Sequence, residues 1–105
     1  MMNFIHTEDR IYYENDSKKL LAEVRFPLKE DGVVEINRTF VDPSLRGQGV
    51  ANLLLEAAYK QLKLNNLSVI PTCSYALVWF KRNTDKQDIL KDNLDLDQLK
   101  EECAI

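Results

Sequence analysis

Eleven residues in the middle of the chain join a predicted strand to a predicted helix: Val41-Asp42-Pro43-Ser44-Leu45-Arg46-Gly47-Gln48-Gly49-Val50-Ala51. The start of a helix carries unpaired N–H groups and a positive dipole end, so it attracts anions. Two glycines let the backbone approach a ligand closely, and Ala51 keeps the first helical turn small. The stretch lacks the G-K-[ST] of a Walker loop and the third glycine of a dinucleotide fingerprint. It therefore predicts a phosphate-binding loop of another type.

The residues before this loop alternate between apolar and polar, as β-strands do. A short strand at Ile11-Tyr12-Tyr13 precedes two longer ones, separated by a turn at Lys29-Glu30-Asp31-Gly32. Arg38 falls on the otherwise apolar face of the last strand, which conflicts with the pattern. The predicted core-facing residues are Leu20, Ala22, Val24, Phe26 and Leu28, then Val34, Ile36 and Phe40.

The residues after the loop predict a helix, a short strand and a second helix. The first helix ends near Asn65-Asn66, the strand Leu67–Ile70 is closed by Pro71, and Tyr75 to Arg82 form the second helix. Thr72 or Ser74 is the expected N-cap, and Leu77 and Phe80 are expected to be partly buried. The helical spacing of the first helix is carried by Val50, Leu53, Leu54, Ala57, Ala58 and Leu62.

The elements add up to a small α/β (α+β) fold in the order β-β-β-α-β-α, with a mainly antiparallel sheet and two helices. We expect one domain over residues 1–105, with a core of about 10–90 and an acidic tail at 91–105. Thr84 to Gln87 could open one further helical turn. Four leucines are expected to dock the tail: Leu90, Leu94, Leu96 and Leu99.

Composition narrows the range of partners. The net charge of −3 disfavours general nucleic-acid binding, because neutralising many phosphates needs a basic surface. No apolar run is long enough for a bilayer span and no signal peptide is evident, so we expect a cytoplasmic protein without a membrane partner. Cys73 and Cys103 match no metal-ligand spacing and are expected to be free thiols, and no metal site is predicted.

The loop also carries a family resemblance. Arg46-x-x-Gly49-x-Ala51 resembles the [RQ]-x-x-G-x-[GA] signature of the GNAT N-acetyltransferases. The short strand ending in Pro71-Thr72-Cys73 is similar to the Pro-x-Cys segment of a minimal, single-domain group within that superfamily. Two departures stand out: that group often has a histidine before the strand-end threonine, where this chain has Arg38, and His-Pro where this chain has Asn83-Thr84.

The resemblance implies an acetyl-CoA-dependent N-acetyltransferase that acetylates a primary amine. The backbone near Phe40 and Val41 would align the pantetheine arm, and Lys81 or Arg82 could reach the adenosine 3′-phosphate. The acceptor is expected to be a protein lysine, an N-terminus or a small amine, and the protein a monomer or weak dimer. The loop residues expected to bind the pyrophosphate, with Ser74 as a further cofactor contact, are Arg46, Gly47, Gln48, Gly49, Val50 and Ala51.

The proton and acyl chemistry stays open at this point. Cys73, between a strand end and a helix start, is a candidate nucleophile, a pocket-lining residue or simply a packed thiol. Glu23 and Glu35 are candidate bases that are more often solvated, His6 lies near a loose end, and Tyr75 could protonate a leaving thiolate. A non-catalytic CoA-binding module and a protein-interaction domain are the two alternatives. Trp79 is expected in the core or a pocket wall.

Overall fold

Seven strands and two α-helices make up the described part of the computed structural model, which covers residues 3–91, 94 and 96. Two short 3-10 helices, Pro43–Leu45 and Thr84–Ile89, complete the elements. The helices are α1 (Val50–Leu64) and α2 (Ser74–Arg82). The strands are β1 (Ile5–His6), β2 (Arg10–Glu14), β3 (Leu20–Arg25), β4 (Leu28–Glu30), β5 (Val33–Ile36), β6 (Arg38–Val41) and β7 (Ser68–Pro71).

The strands form two sheets. The first has the antiparallel order β1-β2-β3-β6, and the second has the order β4-β5-β7, in which β5 and β7 run parallel. The predicted α/β class and mainly antiparallel sheet are confirmed. The parallel pair was not predicted, because the sequence between β5 and β7 does not show which strand β7 joins.

Each of the two long predicted strands is divided in the structure. The first division is at Phe26-Pro27, where proline lacks the N–H that a ladder needs, and the chain then enters the second sheet. As a result Leu28 is 66% exposed, so its predicted core position was wrong. Gly32 takes the positive φ (76°) expected of the turn that follows.

The second division, at Asn37, resolves the conflict at Arg38. Ile36 is buried on one side of the break and Thr39 on the other, so the buried positions shift from even to odd numbers. Arg38 is therefore exposed on the outer face of the first sheet, and Phe40, predicted to face the core, lies beside it on that face. A strand that shifts by one residue exchanges its two faces.

Helix α1 packs against β2, β3, β6 and β7 and carries much of the core. Its bounds agree with the prediction, and Asn66 ends it with a positive φ of 58°. Leu54, Ala58 and Leu62 are fully buried as predicted, whereas Leu53 is 49% exposed and Leu55, which the pattern missed, is 1% exposed. The buried stripe is thus rotated by part of a turn from the predicted one.

Helix α2 and the segment after it cover the end of β7. Cys73, not Thr72 or Ser74, is the N-cap residue of α2, and Leu77 and Phe80 are fully rather than partly buried. The predicted turn after α2 is the 3-10 helix Thr84–Ile89, and Leu90 and Leu96 pack on the core. Leu99, Cys103 and the acidic residues 92, 95, 97, 101 and 102 lie outside the described residues. Of the helices described, none has the length and apolar character needed to cross a bilayer.

Two neighbouring leucines test this packing directly. We expect Leu54→Ala to lower the free energy of unfolding by about 2–5 kcal/mol, because a fully buried side chain leaves a cavity. Leu53→Ala, one residue earlier on the exposed side of α1, should cost about 0.5 kcal/mol or less. Urea denaturation of both variants checks this, and equal losses would contradict the described orientation of α1.

Candidate active site

The two sheets part at Ile36. Its carbonyl oxygen accepts hydrogen bonds from the N–H groups of Thr72 and Cys73, each at 3.0 Å, and the parallel pairing of β5 with β7 ends there. Beyond this point β6 turns to pair with β3, while the segment after β7 turns into α2. A cleft therefore opens between β6 and the start of α2.

One edge of β6 faces this cleft. The N–H of Asp42 bonds to the carbonyl of Leu21 on β3, and polar groups alternate in direction along an antiparallel strand. The backbones of Thr39 and Val41 therefore point to the other edge, as the Val41 carbonyl shows by accepting a bond from Arg46 Nε at 3.3 Å. The Thr39 hydroxyl is buried and has no hydrogen-bond partner among the described residues.

The loop after β6 is held by local hydrogen bonds. Asp42 Oδ2 accepts from the backbone N–H of Ser44 at 3.0 Å and from its hydroxyl at 2.7 Å. The Ser44 hydroxyl is the main cause that lowers the pKa of Asp42. Gly47 and Gly49 then adopt positive φ angles of 84° and 72°, which L side chains adopt only at a cost. A Cβ at either glycine would meet no atom within 4 Å, so the space in front of the loop is open.

Backbone donors line this open space. Gly49 caps α1 in the left-handed conformation without a side-chain hydrogen bond, and the first helical bond runs from Leu53 N–H to the Gly49 carbonyl. None of the six N–H groups from Gly47 to Asn52 makes a hydrogen bond of good geometry within the part of the chain that the structure describes. Consecutive free donors at a helix N-terminus suit an anion with several oxygens.

Two adjoining clefts meet at Tyr75. The first, of about 190 Å³, brings together most of the predicted loop residues with Tyr75 and Leu45: Val41, Arg46, Gly47, Gly49, Val50 and Ala51. Gln48 and Phe40 line neither cleft, since Gln48 turns back to the Ser44 carbonyl and the Phe40 ring lies on the outer sheet face.

The second cleft, of about 430 Å³, runs between α1 and α2. Of the residues predicted to contact the cofactor beyond the loop, Ser74 and Arg82 line this cleft and Lys81 does not. Sequence reasoning missed Asn52, Val78 and Asn83, which also line it. Asn52 Oδ1 accepts a hydrogen bond from Trp79 Nε1 at 2.8 Å. Trp79 is buried in the core and also lines this cleft. The polar Asn52 in the first turn of an otherwise apolar stretch was the available signal.

Cys73 does not line either cleft. Its side chain is 0% exposed within the core, and its carbonyl starts α2 by accepting from Leu77 N–H. Backbone groups thus anchor Cys73 between β7 and α2, at the point where the sheets part.

Comparison with known proteins identifies the family. The sequence model for the GCN5-related N-acetyl-transferases matches residues 10–89, which is most of the chain. The chain belongs to this acetyltransferase family. Membership of the Pro-x-Cys group remains a prediction from the motif.

Solved structures of acetyltransferases share the fold. The solution structure of a GCN5-like candidate N-acetyltransferase from Staphylococcus aureus is 29% identical, with a TM-score of 0.74 over 90% of this chain and 91% of that one. A GNAT family N-acetyltransferase from Escherichia coli, crystallised with CoA, is 21% identical, with a TM-score of 0.55 over 67% of this chain. The E. coli ribosomal-protein-S18-alanine N-acetyltransferase has a TM-score of 0.56 at 15% identity over 73% of this chain. The chain spans 42% and 53% of these two E. coli proteins.

The side chains predicted as candidate bases make contacts away from the two clefts. Glu23 is buried between two arginines and not solvated as predicted. His6 Nδ1 lies 2.8 Å from Gln61 Oε1 in a separate groove. Thr72 Oγ1 donates to Glu35 at 2.6 Å, which with Lys29 holds the pKa of Glu35 below its usual value and makes it a weak base. The described residues contain no cluster of acidic, histidine or cysteine side chains suited to a metal ion.

The lowered pKa of Glu35 predicts a pH-dependent link between β5 and the Pro71–Cys73 segment. Its stabilisation is fully present above the ordinary value of 4.5 and is lost as the pH falls through the lower folded pKa. Thr72→Val should therefore cost about 1 kcal/mol near neutral pH and much less in acid. Denaturant melts at both pH values check this. In a Glu35→Gln background the Thr72→Val cost should not vary with pH, and a variation there would contradict the assignment.

Proposed function

We propose that this chain transfers the acetyl group of acetyl-CoA to a primary amine. The observation that carries the proposal is the run of six N–H groups from Gly47 to Asn52 that make no well-formed hydrogen bond among the described residues. They lie at the start of a helix and beside an unpaired strand edge. Family membership and the E. coli relative crystallised with CoA support the same ligand. The space in front of Gly47 and Gly49 is open, so no side chain there would obstruct a pyrophosphate.

The two clefts suggest how acetyl-CoA would lie. The loop N–H groups would bind the pyrophosphate, and the groove that contains Arg82 and Asn52 would accept the adenosine end. The free edge of β6 at Thr39 and Val41 would hydrogen-bond the amide groups of the pantetheine arm, as a further strand would. This arrangement would carry the thioester along β6 towards the point where the sheets part.

The chemistry would then be direct attack by the amine. The neutral amine nitrogen forms a bond to the thioester carbonyl carbon, the C–S bond breaks, and CoA leaves as a thiolate. Tyr75 lines both clefts and is the candidate donor of a proton to that thiolate. Because Glu23, Glu35 and His6 line neither cleft, we propose that the nitrogen loses its extra proton to water after the attack, and that Tyr75 regains a proton from water. The complete burial of Cys73 favours this direct route over a covalent acetyl-cysteine.

The loop assignment is tested by two matched glycine variants. Gly49→Asp should weaken CoA binding about a hundredfold, because a carboxylate would face the phosphates. Gly32→Asp places the same side chain at another left-handed glycine with open space around it, but in the β4–β5 turn. It should leave CoA affinity unchanged while bearing a similar conformational cost. Isothermal titration of both folded variants measures the difference, and equal affinities would remove the loop assignment.

The role of Cys73 is tested separately. On direct transfer, Cys73→Ala should retain turnover within about threefold of the native rate at a temperature where it stays folded, with some loss of stability from the cavity. Incubation of the native protein with acetyl-CoA alone should leave its mass unchanged. A hydroxylamine-labile acetyl adduct on Cys73, together with loss of turnover in Cys73→Ala, would establish the covalent route instead. CoA binding without turnover on any amine would favour the non-catalytic CoA-binding alternative.

A further inference from the structure

Three arginines lie side by side on the outer face of the first sheet. Arg10 on β2 is directly opposite Arg25 on β3, and Arg25 is directly opposite Arg38 on β6. Their side chains share the face opposite the core, because Ile11, Val24 and Thr39 in the adjacent register are buried. We refer to Arg10, Arg25 and Arg38 as the arginine row.

Among the residues that the structure describes, one carboxylate forms ion pairs with the row. Glu23 lies in the neighbouring register pair, opposite Phe40. Its Oε1 accepts a hydrogen bond from Arg38 Nε at 3.2 Å. Arg10 Nε lies 3.1 Å from Oε2, as an ion pair whose N–H is not aimed for a hydrogen bond. The other carboxylate on the strands of the first sheet, Glu14, lies at the far end of β2 beyond a register shift. Two of the three guanidinium groups, those of Arg10 and Arg38, thus share this carboxylate.

Arg25 is the charge left over. Among the described residues it has no ion-pair partner, and it is exposed between the two arginines that flank it. Like charges directly opposite on neighbouring strands destabilise a sheet. The row is therefore a local cost to stability, and a negatively charged partner would relieve it. The contrast with the net charge of −3 makes the row a distinct feature of the surface.

The row is joined to the candidate active site through β6. Arg38 and Phe40 lie on the outer face of that strand, and its free edge at Val41 borders the loop cleft. We propose that the arginine row docks an acidic polypeptide segment that carries the acceptor amine. The proposal rests on the acetyl transfer proposed above and names the class of acceptor: a lysine or N-terminus flanked by aspartates or glutamates.

The aromatic neighbours favour a peptide over a nucleic acid. The Arg10 guanidinium lies 3.7 Å from the centre of the Tyr12 ring, and the Arg38 guanidinium lies 5.2 Å from that of Phe40. These ring faces, which would otherwise stack on unpaired bases, are already covered. Guanidinium groups held in place on rings are suited to bidentate contacts with carboxylates.

The test uses the full chain and two peptides with blocked termini and one central lysine. Aspartates flank the lysine in one peptide and asparagines in the other. With acetyl-CoA at low salt, kcat/KM should be about tenfold higher for the aspartate peptide, as two or three surface ion pairs allow. The preference should disappear at high salt. Fluorescence anisotropy with labelled peptides measures docking without turnover.

A charge reversal in the row identifies the surface. Arg25→Glu should reduce kcat/KM for the aspartate peptide about tenfold and leave the asparagine peptide and CoA affinity unchanged. It should not destabilise the sheet, because it removes repulsion within the row. Lys60→Glu is the matched control, because it makes the same charge change at an exposed position on α1, on the core side of the sheet. It should leave both peptides unaffected.

The outcomes separate this inference from the acetyl transfer itself. Acetylation of both peptides at equal rates, or equal effects of Arg25→Glu and Lys60→Glu, would overturn the docking proposal while leaving the acetyltransferase intact. Absence of CoA binding would overturn the acetyl transfer, and peptide anisotropy would still decide the docking. Displacement of the labelled aspartate peptide by a single-stranded oligonucleotide at lower concentration than by unlabelled peptide would assign the row to nucleic acid and overturn our proposal.

Discussion

The carbonyl oxygen of Ile36 makes the last hydrogen bonds that join β5 to the end of β7, just before the chain leaves the second sheet for the first. It accepts hydrogen bonds from the N–H groups of both Thr72 and Cys73, so β5 and β7 are held side by side where their pairing ends. The segments that follow β5 and β7 must then diverge, because β6 pairs with β3 and Cys73 begins α2. The cleft, the free edge of β6 and the burial of Cys73 all follow from that divergence.

The loop depends on the packing of the helix behind it. Helix α1 is anchored to the sheets by fully buried residues such as Leu54, Ala58 and Leu62, and this fixes the direction of its N-terminus. Unpaired donors are tolerated there because Gly47 and Gly49 are exposed and water can bond to the N–H groups. The same exposure leaves them available to phosphate oxygens. The loop needs a left-handed backbone conformation at Gly47 and Gly49, and glycine adopts this conformation at little cost in free energy.

The acidic side chains near the sheets are structural. Glu35 joins Lys29 to Thr72, and Glu23 draws Arg10 and Arg38 together on the outer face. An acetyltransferase so arranged would depend on the position of its substrates more than on a strong general base, because alignment alone removes much of a bimolecular barrier. Docking of the acceptor would then be the main source of selectivity between amine substrates. The proposed function of the arginine row beside β6 is to provide that docking.

The sequence by itself determined that a strand-rich first half is followed by a helix, a strand and a second helix. It also determined the bounds of α1, the left-handed turn at Gly32 and the loop residues that line the first cleft. These features are local, because helical spacing, a glycine at positive φ and a strand–loop–helix junction each depend on a stretch of about fifteen residues or fewer. Only the tertiary structure decided the break at Asn37, the parallel β5–β7 pair, the full burial of Cys73 and the arginine row. Each of these depends on which distant strand lies alongside, because strand pairing and its register are set by the whole core and not by neighbours in the chain.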